Sequence, residues 1–174
     1  HFVHAHAAVR PIRQVAVYNR SPGKAEALAA TLRGEGFDAT AVGNPESAVR
    51  QADIVSCITT STTPIVRGAW LKPGAHVDLA GAFKPTMRET DGEVVERSRV
   101  YVDTRDGALA EAGDLIQARA EGKFDFQAVQ GDLAELCRGL AAGRGSDREI
   151  TLFKACGTAL EDLATAVMVY QKAA

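Results

Sequence analysis

No apolar run in the sequence approaches the ~18 residues that a membrane-spanning helix requires, and no secretory leader is visible. Cysteine is sparse: the 174 residues contain only Cys57, Cys137 and Cys156. An odd number at wide spacing gives neither a disulfide framework nor a zinc site. The expectation is three buried small hydrophobes in a reducing cytoplasm. A basic surplus is also missing. Twenty Lys and Arg against 22 Asp and Glu leave a net charge of -2, which speaks against nucleic acid or an acidic membrane surface as partner. The sequence has no nucleophile elbow, no HExxH and no GxxxxGK. Three of its four histidines, His1, His4 and His6, do not share one helical face, so no metal site is expected.

What is present is the balance of a soluble globular domain, 46% hydrophobic and 24% charged, at a length that suits one domain or a little more. Short apolar runs alternate with helical patterns. Strands are expected at Gln14–Tyr18, Asp38–Val42, Asp53–Ile58, His76–Leu79 and Arg99–Val102. Between and after them, helices are expected from Pro22 to about Arg33, at Pro45–Gln51, Asp91–Arg97, Leu109–Glu121 with a break at Gly113, Leu133–Leu140 and Gly157–Gln171. Ser21 offers an N-cap oxygen to the first of these, and Pro22 suits its first turn. Gly139–Ser146 reads as a surface loop. Strand and helix in alternation imply an α/β, Rossmann-type, doubly wound fold with a mainly parallel sheet.

In open α/β sheets, ligands bind beyond the carboxyl ends of the strands, and three strand ends here are unusual. After QVAVY come Asn19, Arg20 and Ser21. NAD-binding folds place an acidic residue at such a position for the ribose 2′-hydroxyl. An Asn, an Arg and a hydroxyl at a helix N-terminus suit a 2′-phosphate instead, although a solvated Arg beside an ordinary N-cap is the plainer reading. After DIVSCI come Thr59, Thr60 and Ser61, whose short hydroxyl side chains would let a cofactor approach the backbone, or form a purely local turn. After HVDLA come Gly81 and Ala82, where a flat ring can approach the chain, or the chain simply turns tightly. Asp103, Glu111 and Asp114 form an acidic trio near a strand end and read as solvated loop acids, while Trp70 and Phe153 read as core or interface residues. The Gly-rich turn GxGxxG or GxGxxA belongs before a helix such as Phe2–Val9. The chain opens at His1 inside that helical pattern, and so reads as a fragment without its first strand.

The blocks Ala52–Phe83, PTMRETD (Pro85–Asp91), Val100–Ile116 and Ile150–Ala166 resemble the ornithine cyclodeaminase/mu-crystallin family in content, order and spacing. The resemblance runs from about Val9 to Tyr170, and is nearest to the reductases of Δ1-pyrroline-2-carboxylate and Δ1-piperideine-2-carboxylate, which are cyclic ketimines. It implies an NAD(P)H-dependent reductase making L-proline or L-pipecolate, with a cyclic imino acid as substrate, and a homodimer when intact. NADPH is the expected cofactor, with NADH possible. The contacts would be Asn19, Arg20 and Ser21 at the 2′-phosphate, Thr59, Thr60 and Ser61 at the middle, and Gly81 and Ala82 beside the nicotinamide.

True ornithine cyclodeaminases carry an acid/base Asp where this chain has Ala82, so the resemblance weighs against that lyase. A non-enzymatic ligand-binding protein like mu-crystallin is the other alternative. The family's substrate-binding groups and most of its dimer contacts lie in an N-terminal domain that precedes this portion. No catalytic residue is therefore assigned, and the fragment alone is expected to be inactive. Residues 1–156 are expected to form the cofactor-binding domain, and residues 157–174 a helix leading back toward that other domain. The chain departs from the family at Gln117, Ala118 and Arg119, where a proline is usual.

Overall fold

The computed structural model describes residues 1–173, which divide into two compact units, one from His1 to Gln51 and one from Ala52 onward. The first holds α1 (Phe2–Val9), β1 (Gln14–Val17), α2 (Pro22–Gly34), β2 (Asp38–Ala41) and α3 (Pro45–Gln51). β1 and β2 run parallel, with Gln14 opposite Asp38 and Val17 opposite Ala41. Helix α2 buries Ala25, Ala29 and Leu32, the i, i+4, i+7 stripe of one helical face. Ala29 and Leu32 form a small core with Ala39, packed by Val3, Val15, Val17, Phe37 and Ala41. Gly36 turns the chain out of the helix with φ 95°, a conformation that glycine adopts without a Cβ penalty.

The second unit holds β3 (Ile54–Cys57), β4 (His76–Leu79), α4 (Gly92–Glu96), β5 (Ser98–Val102), α5 (Arg105–Glu111), α6 (Gly113–Ala120), β6 (Gly131–Asp132), α7 (Leu133–Cys137), β7 (Ile150–Lys154) and α8 (Ala159–Ala173). Its five strands make one sheet in the order β3-β4-β7-β5-β6, and every pairing is parallel. Successive residues Val77, Asp78 and Leu79 of β4, and Val100, Tyr101 and Val102 of β5, are all buried. Neighbouring residues of a strand point to opposite faces, so these strands are covered on both.

The α/β class and the parallel pairing agree with the sequence. The strands, however, fall into two sheets, because no strand among the described residues pairs with both sets. Ile150–Lys154, which the apolar pattern left unassigned, is the central strand β7, flanked by β4 and β5. The helical stretch around Gly113 does break there, into α5 and α6. Cysteine burial is corrected in part: Cys57 is buried, Cys156 half-buried and Cys137 exposed. Cys137 ends the five-residue α7, which buries none of its residues.

Candidate functional site

In the first unit, Asn19, Arg20 and Ser21 follow β1 and are all exposed. Ser21 is the N-cap residue of α2, but its side chain makes no capping bond. Instead the Ser21 N–H donates to Asn19 Oδ1 at 2.8 Å, a local turn that fixes the residue between them. Pro22 has no N–H to satisfy, and the first turn of α2 carries no acidic residue. A guanidinium, an uncommitted hydroxyl and a helix N-terminus are donor groups, and their common partner is an anion.

In the second unit, Thr59, Thr60 and Ser61 follow β3. The local turn is realised here: the Ser61 N–H donates to Thr59 Oγ1 at 3.2 Å, and Ser61 Oγ donates to the Thr63 carbonyl at 2.7 Å. Thr60 is exposed. Gly81 and Ala82 follow β4 and are buried, Ala82 at 0% exposure with φ 51°. Left-handed backbone at a non-glycine residue costs about 1–2 kcal/mol, and the neighbours hold it there: Ala82 N–H donates to the Thr59 carbonyl at 3.4 Å, and Gly113 N–H to the Ala82 carbonyl at 2.9 Å. Gly81 has a reason the sequence does not show. A Cβ built on it would collide with the Thr59 carbonyl and the Glu89 carboxylate. The strand ends of β3 and β4 are therefore in direct contact, and Gly81 is the residue that allows it.

Beneath them lies a charged cluster. Lys154, the last residue of β7, is fully buried, and its ammonium donates to the Gly81 carbonyl and, at 3.5 Å, to that of Leu79. Glu89 is fully buried and accepts from the Thr59 N–H at 2.5 Å. Asp114 Oδ1 accepts from the backbone N–H groups of Glu89 and Thr90, each at 2.8 Å, and from Thr90 Oγ1 at 3.1 Å. The second oxygens of both carboxylates, Glu89 Oε2 and Asp114 Oδ2, are buried without a hydrogen-bond partner. Burial raises the pKa of each carboxyl, opposed for Glu89 by the Thr59 hydrogen bond and for Asp114 by the backbone donors. Burial, with Glu89, Asp114 and Asp78 nearby, holds the Cys57 thiol well above its ordinary range, so it stays protonated.

Asp103 is buried as well. It closes the neighbouring strand end by accepting from Cys156 N–H at 2.6 Å and Gly157 N–H at 2.7 Å. Of the acidic trio, only Glu111 is exposed; Asp103 and Asp114 are buried because each satisfies backbone donors that burial would otherwise orphan. Trp70 and Phe153 are half-buried. Gln117 donates to the carbonyls of Pro85 and Met87, both at 2.9 Å. The departure from proline thus ties α6 to the segment that carries Glu89. Arg88, beside it, is buried and pairs with Glu121 through two hydrogen bonds.

The second unit thus brings Thr59, Ser61, Gly81 and Ala82 together, while Asn19, Arg20 and Ser21 stand at the strand end of the first. Glu89 and Lys154 were missed. The available signal for Lys154 was a charged residue closing an apolar run, ITLFK, in the block shared with the family. Among the described residues no group of His, Cys, Asp and Glu is placed to hold a metal ion, and no helix is long and apolar enough to cross a membrane.

A family model described as the ornithine cyclodeaminase/mu-crystallin family matches residues 2–174. The Δ1-pyrroline-2-carboxylate reductase of Paracoccus denitrificans is 44% identical over 162 residues, covering 92% of this chain and 51% of that relative. The structure of the Thermococcus litoralis Δ1-pyrroline-2-carboxylate reductase in complex with NADH and L-proline superimposes with a TM-score of 0.96 at 36% identity, covering 99% of this chain and 54% of that one. An archaeal alanine dehydrogenase dimer with bound NAD gives a TM-score of 0.92 at 29% identity, covering 99% of this chain and 53% of that one. The chain thus spans about half the length of the relatives it matches.

Proposed function

The chain belongs to the ornithine cyclodeaminase/mu-crystallin family, and from that premise we propose that the full-length protein is an NAD(P)H-dependent reductase of cyclic ketimines, converting Δ1-pyrroline-2-carboxylate or Δ1-piperideine-2-carboxylate to L-proline or L-pipecolate. The observation that carries the reading is the likeness over 99% of the chain to a reductase held with NADH and L-proline.

The residues present fit a nicotinamide dinucleotide. Arg20, Asn19 and Ser21 offer donors and no carboxylate at the start of α2, which favours the phosphorylated cofactor, NADPH. Thr59–Ser61 and Gly81–Ala82 meet at the carboxyl ends of β3 and β4, where parallel sheets bind ligands. When bound, the reduced nicotinamide supplies a hydride to the carbon of the C=N bond. The chain's residues bind and orient. Thr60, exposed on its loop, and the backbone of Thr59–Ser61 form one wall. The Gly81–Ala82 turn, buried in this chain, would back the nicotinamide side from behind that loop. The methyl of Ala82 moves no proton, which suits imine reduction better than the proton transfers of ammonia loss.

Helix α8 buries none of its residues and exposes Leu160, Leu163, Val167 and Tyr170. This apolar stripe suits docking on the part of the full-length protein outside this chain, with residues 1–156 as the cofactor-binding domain. A cytoplasmic homodimer is the expected assembly and location, supported by the dimeric archaeal neighbour and the three unpaired cysteines.

The test mixes full-length protein, NADPH and each ketimine. NADPH is expected to be oxidised one-for-one with imine consumed. No oxidation above the imine-free blank, for either ketimine and with either NADPH or NADH, would refute the reading.

A further inference from the structure

The charged residues buried deepest in the chain lie below the two strand ends that meet. Lys154, Glu89 and Asp114 are each at 0% exposure. Burying charges is costly, and an apolar trio of similar volume is often as stable or more so. What these three secure is position.

Glu89 does most of this. Its carboxylate accepts the Thr59 N–H at 2.5 Å, and its main-chain carbonyl accepts from Ile65 and Val66 at 2.7 and 3.1 Å. Arg88, next to it, donates its N–H to the Ser61 carbonyl at 2.7 Å. One short segment therefore holds the Thr59–Val66 loop at both ends. From the other side, the Glu89 carboxylate lies where a Gly81 side chain would have to go. Lys154 draws the Gly81 carbonyl inward, and Asp114 fixes the Glu89 and Thr90 backbone from beneath. The carboxylate is the spacer between the ends of β3 and β4.

We propose that Glu89, braced by Lys154 and Asp114, is a positioning residue that sets the loop Thr59–Ser61 against Gly81–Ala82 and thereby the fit of the reduced cofactor. The inference rests on reading these strand ends as cofactor-contacting. It assigns Glu89 no contact with the cofactor. The reach of its side chain matters more than its charge.

Reach and charge can be separated. Glu89→Gln keeps an oxygen at the same distance from Thr59 and removes the charge. Glu89→Asp keeps the charge and draws the oxygen back by about 1.5 Å, one carbon–carbon bond. In the full-length protein, NADPH affinity is read by fluorescence titration, stability by thermal unfolding, and the Thr59 loop by hydrogen exchange. Glu89→Asp is expected to weaken NADPH binding about tenfold and speed exchange at Thr59–Ser61, as for a lost charge-assisted hydrogen bond. Glu89→Gln is expected to bind within about threefold of wild type, even with a lower unfolding midpoint.

Unchanged affinity in Glu89→Asp would overturn the proposal. So would Glu89→Gln losing affinity about tenfold while folded, and that variant decides alone where Glu89→Asp fails to fold. The underlying site reading is controlled separately. If wild type does not bind NADPH, or Arg20→Ala and Thr60→Val both leave its affinity unchanged, the site reading falls and the inference with it. Wild-type binding that responds to those two but not to Glu89→Asp sinks the positioning role only.

Discussion

The ammonium of Lys154, at the end of β7, donates to the carbonyl of Gly81, at the end of β4. A buried cation is thereby tied to the backbone of the candidate cofactor loop, with Glu89 and Asp114 as the nearby opposite charges.

Removing that cation leaves two buried carboxylates without their counter-charge. Lys154→Ala is expected to destabilise the full-length protein by about 3–5 kcal/mol. Lys154→Met, which keeps the volume, is expected to cost less. Denaturant unfolding measures both. A loss under about 1 kcal/mol for Lys154→Ala would mean the carboxylates are neutral or solvated.

Ala82 is wholly buried with left-handed backbone, so an acid/base group cannot simply be installed there. Ala82→Asp would put a carboxylate into space already filled. It is expected to cost about 1–3 kcal/mol of stability, lower imine reduction and create no efficient ornithine deaminase. Thermal unfolding with parallel assays of imine reduction and ammonia release checks this. A stable variant that releases ammonia rapidly would show room at the site that the packing denies.

Asp114 gives a pH dependence of defined sign. Burial raises its folded-state pKa above the ordinary carboxylate value. Between those two values the folded state binds more protons than the unfolded chain, so stability falls as pH rises through that window. Asp114→Asn removes this contribution and is expected to flatten the decline. Urea unfolding at a series of pH values upward from about 4 tests it. A slope unchanged in the variant would remove Asp114 as the cause.

Arg20→Ala is expected to weaken NADPH by about 1–3 kcal/mol and leave NADH nearly unaffected, because only NADPH carries the phosphate the guanidinium would pair with. Titration of both cofactors into full-length protein decides. Equal losses would remove Arg20 from cofactor selection.

The strands legible in the sequence were those with an unbroken apolar run next to a turn signal. QVAVY before Asn19 and DIVSCI before the Thr/Ser cluster are examples, and Gly113 marks a real break. Ile150–Lys154 escaped because it follows a long polar loop and ends in lysine, and its central place comes from pairing with β4 and β5, which are distant in sequence. Glu89 escaped for a related reason. PTMRETD is polar and without period, and the hydrogen-bond partners of the Glu89 carboxylate and N–H lie 30 and 25 positions away, at Thr59 and Asp114. Local pattern reveals which residues prefer to be inside. It does not reveal which charged residue a distant backbone N–H will require.

Within the family, the nearest rival to imine reduction is ammonia release from ornithine. The most direct measurement gives the full-length protein Δ1-pyrroline-2-carboxylate and ornithine in parallel, following NADPH absorbance and ammonia together. NADPH oxidation with the imine and no appreciable ammonia from ornithine are expected. Rapid ammonia release with no net NADPH oxidation would contradict the assignment as an imine reductase.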